Sequence, residues 1–187
     1  IWHILSLTRK ATASSQTRLN NDIKLWNREN FIGNDLNKKT IGIIGLGRLG
    51  KMVGRILKAM YSNVTFYDID QNVKSIDYKR LELNDLLSQS DIVTLHVPLN
   101  ETTFNLISSK QLNIMKKNSV IINTSRGGII NELDLLSHLK INSNFSAGLD
   151  VYEYEYNKTK EAYETFFKLK EFSERMPEQL SMTPHIG

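Results

Sequence analysis

The stretch Thr40–Gly50, with the sequence TIGIIGLGRLG, decides the fold of this chain. Its first half is a short apolar run, which is typical of a buried strand, and its second half has the pattern G-x-G-x-x-G. In the segment that follows, Lys51–Met60, apolar residues recur every three or four positions, which predicts a helix. A strand, a glycine turn and a helix in this order form the context in which the pattern indicates dinucleotide binding.

Each glycine of the turn has a separate physical task. Gly45 lets the chain turn sharply out of the strand, Gly47 leaves the backbone open to a pyrophosphate, and Gly50 lets the helix pack close to the sheet. The N–H groups at the start of the helix favour phosphate binding. A second strand, Val64–Tyr67, is followed by Asp68, and an acid about 20 positions after the glycines accepts hydrogen bonds from the adenosine ribose. This acid would repel a 2′-phosphate, so it favours NAD over NADP. The alternative interpretation is that the glycines serve only a tight turn and bind no cofactor.

The composition limits the class of protein. The chain has 187 residues, of which 40% are hydrophobic and 24% are charged, as in an ordinary globular domain. Its net charge of +4 is scattered along the chain, so we expect no nucleic-acid partner. It has no cysteine, and no apolar run approaches the ~20 residues of a membrane span, so we expect a cytoplasmic protein without a membrane partner. Because the chain begins at Ile1 and stops at Gly187, we expect it to be a piece of a longer protein.

Apolar runs alternate with helical patterns over most of the chain. This alternation predicts an α/β fold, a doubly wound parallel sheet of the Rossmann type in one domain. The predicted strands are Ile41–Ile44, Val64–Tyr67, Asp91–Pro98, Val120–Asn123, Phe145–Leu149 and Leu180–Thr183. The predicted helices are residues 1–28, Lys51–Met60, Leu83–Ser88, Ser109–Met115, a helix capped by Asn131, and Glu161–Phe172.

The residues that follow the predicted strands carry the chemistry. In an open parallel sheet, ligands bind beyond the carboxyl ends of the strands. Those ends carry a glycine, two acids, an arginine and two histidines, which are Gly45, Asp68, Asp150, Arg126, His96 and His185. A lone histidine is more often a surface or core residue, which is how we interpret His3 and His138. For His96 we expect contacts to a cofactor mainly through the backbone of its neighbours.

Five motifs, in order along the chain, resemble those of the NAD-dependent D-isomer-specific 2-hydroxyacid dehydrogenases. They cover nearly the whole chain and are Ile43–Gly50, Asp91–Thr103, Asn123–Gly128, Ala147–Glu155 and Thr183–Gly187. Five ordered motifs are far more specific than the glycine pattern alone. The resemblance implies an enzyme that interconverts a D-2-hydroxy acid and its 2-keto acid, with NAD as the cofactor.

The resemblance also implies the role of each site residue. Arg126 would hold the substrate carboxylate and polarise the carbonyl, and His185 would be the general acid. Glu155 would support His185, favour the protonated imidazole and fix its tautomer; Glu153 competes for this role, and the family spacing from Asp150 favours Glu155. No metal site is predicted. The cofactor-binding residues implied are Gly45, Gly47, Arg48, Leu49, Gly50, Asp68, Val97, Pro98, Thr103, Thr124, Ser125 and Asp150, the last at the nicotinamide amide.

Three features depart from the family pattern. The family has a second domain that closes over the substrate, and almost none of it is present, so we expect residues 1–187 to be an NAD-binding domain that reduces no keto acid alone. Tyr156 stands where the family usually has proline, which bears on the placement of Glu155. The connection Tyr156–Met182 is longer than usual, and we expect its charged helix to be solvated rather than to contact a partner.

The partners and the class of function follow from the same resemblance. The family dimerises through its cofactor domain, which implies a homodimer with contacts from the helix 1–28 and Trp26. An alternative is an NAD-regulated binding module, as in the corepressor branch of the family. Another is a different Rossmann enzyme, such as an NAD-dependent formate dehydrogenase, which would be expected to lack the Glu155 carboxylate. The substrate depends on the absent domain; 3-phosphoglycerate is suggested by its frequency in the family alone.

Overall fold

The computed structural model describes residues 1–17, 24, 26–60 and 62–186. In this part of the chain seven strands form one sheet, in the spatial order β3-β2-β1-β4-β5-β6-β7, and every neighbouring pair is parallel. The predicted doubly wound fold is therefore confirmed. The strand order reverses between β1 and β4, which is where ligands bind in such sheets. The strands are β1 (Thr40–Ile44), β2 (Asn63–Tyr67), β3 (Lys79–Arg80), β4 (Ile92–Leu95), β5 (Val120–Asn123), β6 (Ser146–Leu149) and β7 (Leu180–Met182).

Helices cover both faces of the sheet. One apolar core joins the sheet to α1 and α3 through residues such as Ile4 and Leu57, and the other joins it to α4, α5, α6 and α7. No helix among the described residues is long and apolar enough to cross a membrane. The helices are α1 (Trp2–Thr8), α2 (Ala11–Gln16), α3 (Arg48–Ala59), α4 (Leu83–Gln89), α5 (Ser109–Ile114), α6 (Glu132–Ile141) and α7 (Lys160–Arg175), with 3-10 turns at Arg28–Phe31 and Glu153–Glu155.

The last residues of six neighbouring strands stand in one row across the sheet. Each is the register partner of the next, so the segments that leave these strands emerge at the same edge. That edge carries the residues that the sequence assigns to the site. The row consists of Tyr67, Ile44, Leu95, Asn123, Leu149 and Met182.

The single helix predicted over residues 1–28 is wrong. The structure has two short helices, α1 and α2, separated by Lys10, whose φ is 52°. A left-handed residue cannot continue a right-handed helix, and an apolar stripe in the sequence does not reveal such a break. Part of the predicted stripe, at Leu19 and Ile23, lies outside the described residues.

The helix α7 also differs from the solvated helix that its charges predicted. It buries Ala162, Thr165 and Leu169 on one face, while ion pairs such as Lys170–Glu174 lie on the other. The buried residues recur every three or four positions, so the charges occupy the faces that remain. The connection therefore packs on the domain as part of its core.

Smaller differences concern the strand bounds. The strand β4 ends at Leu95, three residues before the predicted end at Pro98, so the segment from His96 to Pro98 leaves the sheet as a loop. The strand β3 was not predicted, because two residues are too short to show an alternating pattern.

The packing of α7 can be tested by comparing a buried with an exposed residue. Leu169 is 0% exposed and Phe167 is 60% exposed. We expect Leu169→Ala to lower the free energy of unfolding by about 2–5 kcal/mol, because it leaves a cavity in the core. Phe167→Ala should change it by less than about 1 kcal/mol. Urea unfolding of both variants would measure this, and equal small effects would show that α7 does not pack on the domain.

Candidate active site

The glycine turn after β1 is closed on its inner side and open on its outer side. Gly45 has a φ of 92° and packs against the carbonyl of His96, and a Cβ on Gly50 would overlap the Gly45 carbonyl. A Cβ on Gly47 would instead meet no atom within 4 Å. Because Gly47 directly precedes α3, a phosphate can approach the backbone where the helix N–H groups point. The turn therefore fits the pyrophosphate of a dinucleotide.

Asp68 is tied to this turn. It follows β2, and its Oδ2 accepts a hydrogen bond from the Leu46 N–H at 2.8 Å, while its Oδ1 accepts one from the Asp70 N–H at 3.0 Å. Asp68 and the turn line a cavity of about 250 Å³, here called the glycine cavity. Its walls include Gly45, Gly47, Asp68, Val97, Pro98 and Thr103.

Two side chains shape the wall opposite the glycines. The Thr103 hydroxyl donates to the Pro98 carbonyl at 2.6 Å, so it holds the loop after β4. His96 lies at the start of that loop, with Nε2 3.0 Å from Thr94 Oγ1. Burial lowers the pKa of His96 to about 4, so its ring is neutral at physiological pH. A neutral ring held in this way lines the site without acting as a proton donor.

A second cavity adjoins the first and is lined by two of the three predicted catalytic residues, Arg126 and His185. It has a volume of about 530 Å³ and is here called the arginine–histidine cavity. Arg126 lies in the turn after β5, and its Nη1 donates a hydrogen bond to the Ser125 carbonyl at 2.6 Å. The two cavities share His96, Val97 and Pro98. The walls of the second include Leu49, Val97, Pro98, Thr124, Ser125, Arg126, Tyr156 and His185.

His185 and Glu155 form a pair at the edge of this cavity. The His185 Nδ1 lies 2.7 Å from Glu155 Oε2, and both side chains are partly exposed. A carboxylate only accepts, so the Nδ1 carries a hydrogen in this contact, and Nε2 is the nitrogen left for a substrate. His185 itself has a φ of 54°, a conformation that is sparsely populated outside glycine. The structure therefore places the two residues that the sequence paired in direct contact.

The turn that carries Glu155 packs directly against the turn that carries Arg126. A Cβ on Gly127 would overlap the Tyr152 carbonyl, so the two backbones touch. The buried Glu132 accepts a hydrogen bond from the Glu153 N–H at 2.6 Å, and burial raises the pKa of Glu132 to about 7. These contacts hold the turn that carries Glu155 next to the turn that carries Arg126.

Tyr156 is a cavity residue that the sequence interpretation missed. Tyr152 and Tyr154 pack with Phe166. Tyr156 instead lines the arginine–histidine cavity, with its hydroxyl against Gly128. Burial raises the pKa of Tyr156 to about 12, so the phenol stays a neutral hydrogen-bond donor. Its departure from the family proline was the signal that could have marked it.

Three of the predicted cofactor residues line neither cavity: Arg48, Gly50 and Asp150. Gly50 supports the turn by close packing. Arg48 is the exposed first residue of α3. Asp150 is 3% exposed, and its Oδ1 accepts from the Thr183 hydroxyl at 2.5 Å and from the Ile186 N–H at 3.0 Å. In this structure Asp150 thus holds the loop of His185.

A further large cavity lies at the opposite edge of the sheet. It has a volume of about 450 Å³ and is lined by residues at the amino ends of strands, such as Lys39, Asp91 and Ser146. None of the predicted site residues lines it, and ligands of open α/β sheets bind at the carboxyl edge. Within the described ranges, no group of three or more His, Asp or Glu residues could hold a metal ion.

The comparison with known protein families agrees with this site. The family described as D-isomer specific 2-hydroxyacid dehydrogenase, NAD binding domain, matches residues 1–187. The chain belongs to this family. The prediction of an NAD-binding domain of the Rossmann type is therefore confirmed, with NAD as its cofactor.

Individual relatives of this NAD-binding domain are enzymes that act on different acids. A glyoxylate reductase from Thermococcus litoralis is 35% identical over 167 residues, which cover 87% of this chain and 46% of the relative. A D-3-phosphoglycerate dehydrogenase from Methanocaldococcus jannaschii is 41% identical over 134 residues, which cover 70% of this chain and 26% of the relative. The chain thus spans about half or less of these relatives.

Solved structures show the same fold. The crystal structure of a D-lactate dehydrogenase from Aquifex aeolicus, complexed with NAD and lactic acid, matches with a TM-score of 0.83 at 28% identity. The match covers 99% of this chain and 57% of that one. A fold shared over nearly the whole chain is consistent with the family assignment.

For the glycine turn we predict that one substitution lowers the affinity for NADH and another lowers the stability of the fold. We expect Gly47→Ala to weaken NADH binding at least about tenfold, because the new methyl group would stand where the phosphate approaches the backbone. The free energy of unfolding should change by less than about 1 kcal/mol, since that position is open. Gly50→Ala should instead lower it by about 1–3 kcal/mol through overpacking.

Fluorescence titration with NADH and thermal unfolding of both variants would measure these effects. Unchanged NADH affinity in Gly47→Ala would show that the cofactor does not approach this turn.

Proposed function

We propose that the complete protein is an NAD-dependent oxidoreductase that interconverts a D-2-hydroxy acid and its 2-keto acid. The observation that carries the proposal is geometric. Arg126 and His185 line one cavity, and the Glu155 carboxylate lies 2.7 Å from the His185 ring. This cavity adjoins the glycine cavity, so a dinucleotide that lay along the sheet edge would extend from one to the other.

The chemistry follows from the charges of the three catalytic residues. Arg126 is permanently positive and can bind the substrate carboxylate through two hydrogen bonds, which orients the neighbouring carbonyl. His185 donates a proton to the carbonyl oxygen during reduction and removes it during oxidation. Glu155 fixes the ring orientation and stabilises the charged imidazole. The hydride is supplied by NADH when it is bound.

The cofactor residues fall into groups with different tasks. We assign the pyrophosphate to the turn that contains Gly45, Gly47 and Gly50, and the adenosine ribose to Asp68, which lines the same cavity as the turn. The assigned wall contacts lie on the loops after β4 and β5 and at the start of α3, and are Leu49, Val97, Pro98, Thr103, Thr124 and Ser125. Arg48, which lines neither cavity, is assigned a contact from the exposed start of α3. The predicted contact of Asp150 with the nicotinamide amide is not assigned, because Asp150 is 3% exposed, lines neither cavity and holds the loop of His185.

We further propose that a substrate-closing domain lies outside residues 1–187. The arginine–histidine cavity is open, and water must be excluded for the charges in it to act strongly. This chain alone should bind NADH and reduce no keto acid. The named relatives act on glyoxylate, 3-phosphoglycerate or lactate, each of which is a 2-hydroxy or a 2-keto acid. Because these relatives are named as enzymes, they favour an oxidoreductase over the NAD-regulated binding module.

We also propose a cytoplasmic homodimer with contacts from the N-terminal segment. Support comes from large apolar side chains on that segment that are exposed in the monomer: Trp2 at 57%, Trp26 at 64% and Ile32 at 63%. Such side chains together favour an interface over a solvated surface. Light scattering on the full-length protein should give twice the mass of one chain. A monomer at micromolar concentration would contradict the dimer.

A screen with the full-length protein tests the activity. NADH oxidation would be followed with glyoxylate, hydroxypyruvate, pyruvate and larger 2-keto acids. We expect at least one to be reduced, and His185→Ala to lower its turnover by about 10²–10⁴-fold, because general acid catalysis is typically worth that much.

The control is NADH affinity, which His185→Ala should leave within about twofold, because Gly45, Gly47 and Asp68, which are assigned to the pyrophosphate and the adenosine ribose, line the glycine cavity and His185 does not. A full-length protein that binds NADH and reduces none of these acids would favour the binding module instead. A His185→Ala variant with the turnover of the unchanged protein would refute the assignment of the general acid.

A further inference from the structure

A buried histidine in the first helix reaches the loop of His185. His3 lies on α1 and is 5% exposed. Its Nδ1 is 3.0 Å from Ser181 Oγ, and its Nε2 is 3.1 Å from Thr183 Oγ1. Ser181 lies in β7 and Thr183 directly follows it, so the ring binds both to the strand and to the segment that leads to His185.

The hydrogen bonds around Thr183 have one consistent direction. The Thr183 hydroxyl lies 2.5 Å from Asp150 Oδ1 and must donate to it, because a carboxylate only accepts. A hydroxyl has one hydrogen, so toward His3 it can only accept. The His3 Nε2 therefore carries the hydrogen, and its Nδ1 accepts from Ser181. Burial lowers the pKa of His3 to about 4, although the nearby Asp150 opposes this shift, so the ring is neutral and has one N–H to give.

Asp150 links Thr183 to the residue that follows His185. The same Oδ1 accepts a hydrogen bond from the Ile186 N–H at 3.0 Å. Thr183 precedes His185 by two residues and Ile186 follows it, so the two bonds hold the chain on both sides of a residue with a φ of 54°. A conformation of this kind persists only where its surroundings fix it.

The packing leaves room for the side chain at position 3. A Cβ on Gly148, in β6, would overlap the His3 side chain, so the absence of a side chain there makes room for the imidazole. A second buried histidine, His138, packs edge-on against Phe145 at 4.6 Å between ring centroids. It lies on α6 and supplies a matched comparison for a buried ring outside this set of bonds.

We propose that His3 is a positioning residue for His185, which acts through Thr183 and Asp150 to hold the loop in the conformation that places the imidazole in the arginine–histidine cavity. The N-terminal helix α1 is then part of the catalytic framework. The inference deepens the proposed function, since the loop matters for catalysis only if His185 transfers the proton.

Three variants of the full-length protein test the inference. His3→Leu removes the ring donor, His3→Gln keeps an N–H that can reach Thr183, and His138→Leu removes a buried ring elsewhere. The readouts are amide hydrogen exchange at Ile186, kcat, and the KM of the best 2-keto acid. We expect His3→Leu to speed exchange about fivefold to tenfold, the factor for one lost hydrogen bond. It should lower kcat by a similar factor while KM changes less than about twofold.

The controls separate positioning from general stability. His3→Gln should stay within about twofold of the unchanged protein in all readouts, and His138→Leu should lower the melting temperature without faster exchange at Ile186. Unchanged exchange in His3→Leu, or equal acceleration in His138→Leu, would overturn the inference.

A second pair covers the case in which His3→Leu does not fold. Thr183→Val removes the hydroxyl at nearly the same volume, and Thr183→Ser keeps it. Faster exchange at Ile186 in the valine variant, restored in the serine variant, supports the connection, and equal exchange in both refutes it. Amide exchange can be measured without turnover. If the full-length protein reduces no keto acid, the proposed function is refuted, but the exchange rates still show whether His3 holds the loop of His185.

Discussion

The parallel register of the sheet is the constraint on which the site depends. Six strands end in one row, so every segment that leaves them begins at the same edge. Parallel strands require crossover connections, which the helices provide, and this keeps the edge free of hairpins. Residues that are far apart in sequence, such as Asp68, Arg126 and His185, therefore follow strands that end at one edge of the sheet. The site is a consequence of this register more than of any single motif.

A second level of organisation lies in the loops themselves. Gly127 lets the Arg126 turn touch the backbone at Tyr152, and Glu132 binds the turn that carries Glu155. Thr183 and Asp150 hold the loop that carries His185. Each catalytic side chain is thus supported by a contact with another loop, which is how flexible connections can maintain distances near 3 Å.

Much of this could be predicted from the sequence, for identifiable reasons. Strands followed by glycine, acid, arginine or histidine, together with the family resemblance, predicted the edge and the His185–Glu155 pair. The break at Lys10 could not be predicted, because a left-handed residue leaves no trace in an apolar stripe. The burial of Leu169 was hidden by the charges of α7. The bonds of His3 could not be predicted either, because they join residues at opposite ends of the chain.

The most direct measurement is a crystal structure of the full-length protein with NADH and oxamate, an unreactive analogue of a 2-keto acid. We expect the oxamate carboxylate to bind Arg126 and the neighbouring oxygen to lie about 2.6–3.2 Å from His185 Nε2, the distance required for proton transfer. The NADH should lie along the glycine cavity toward that oxygen. Oxamate bound away from both side chains, or NADH at another edge of the sheet, would contradict it.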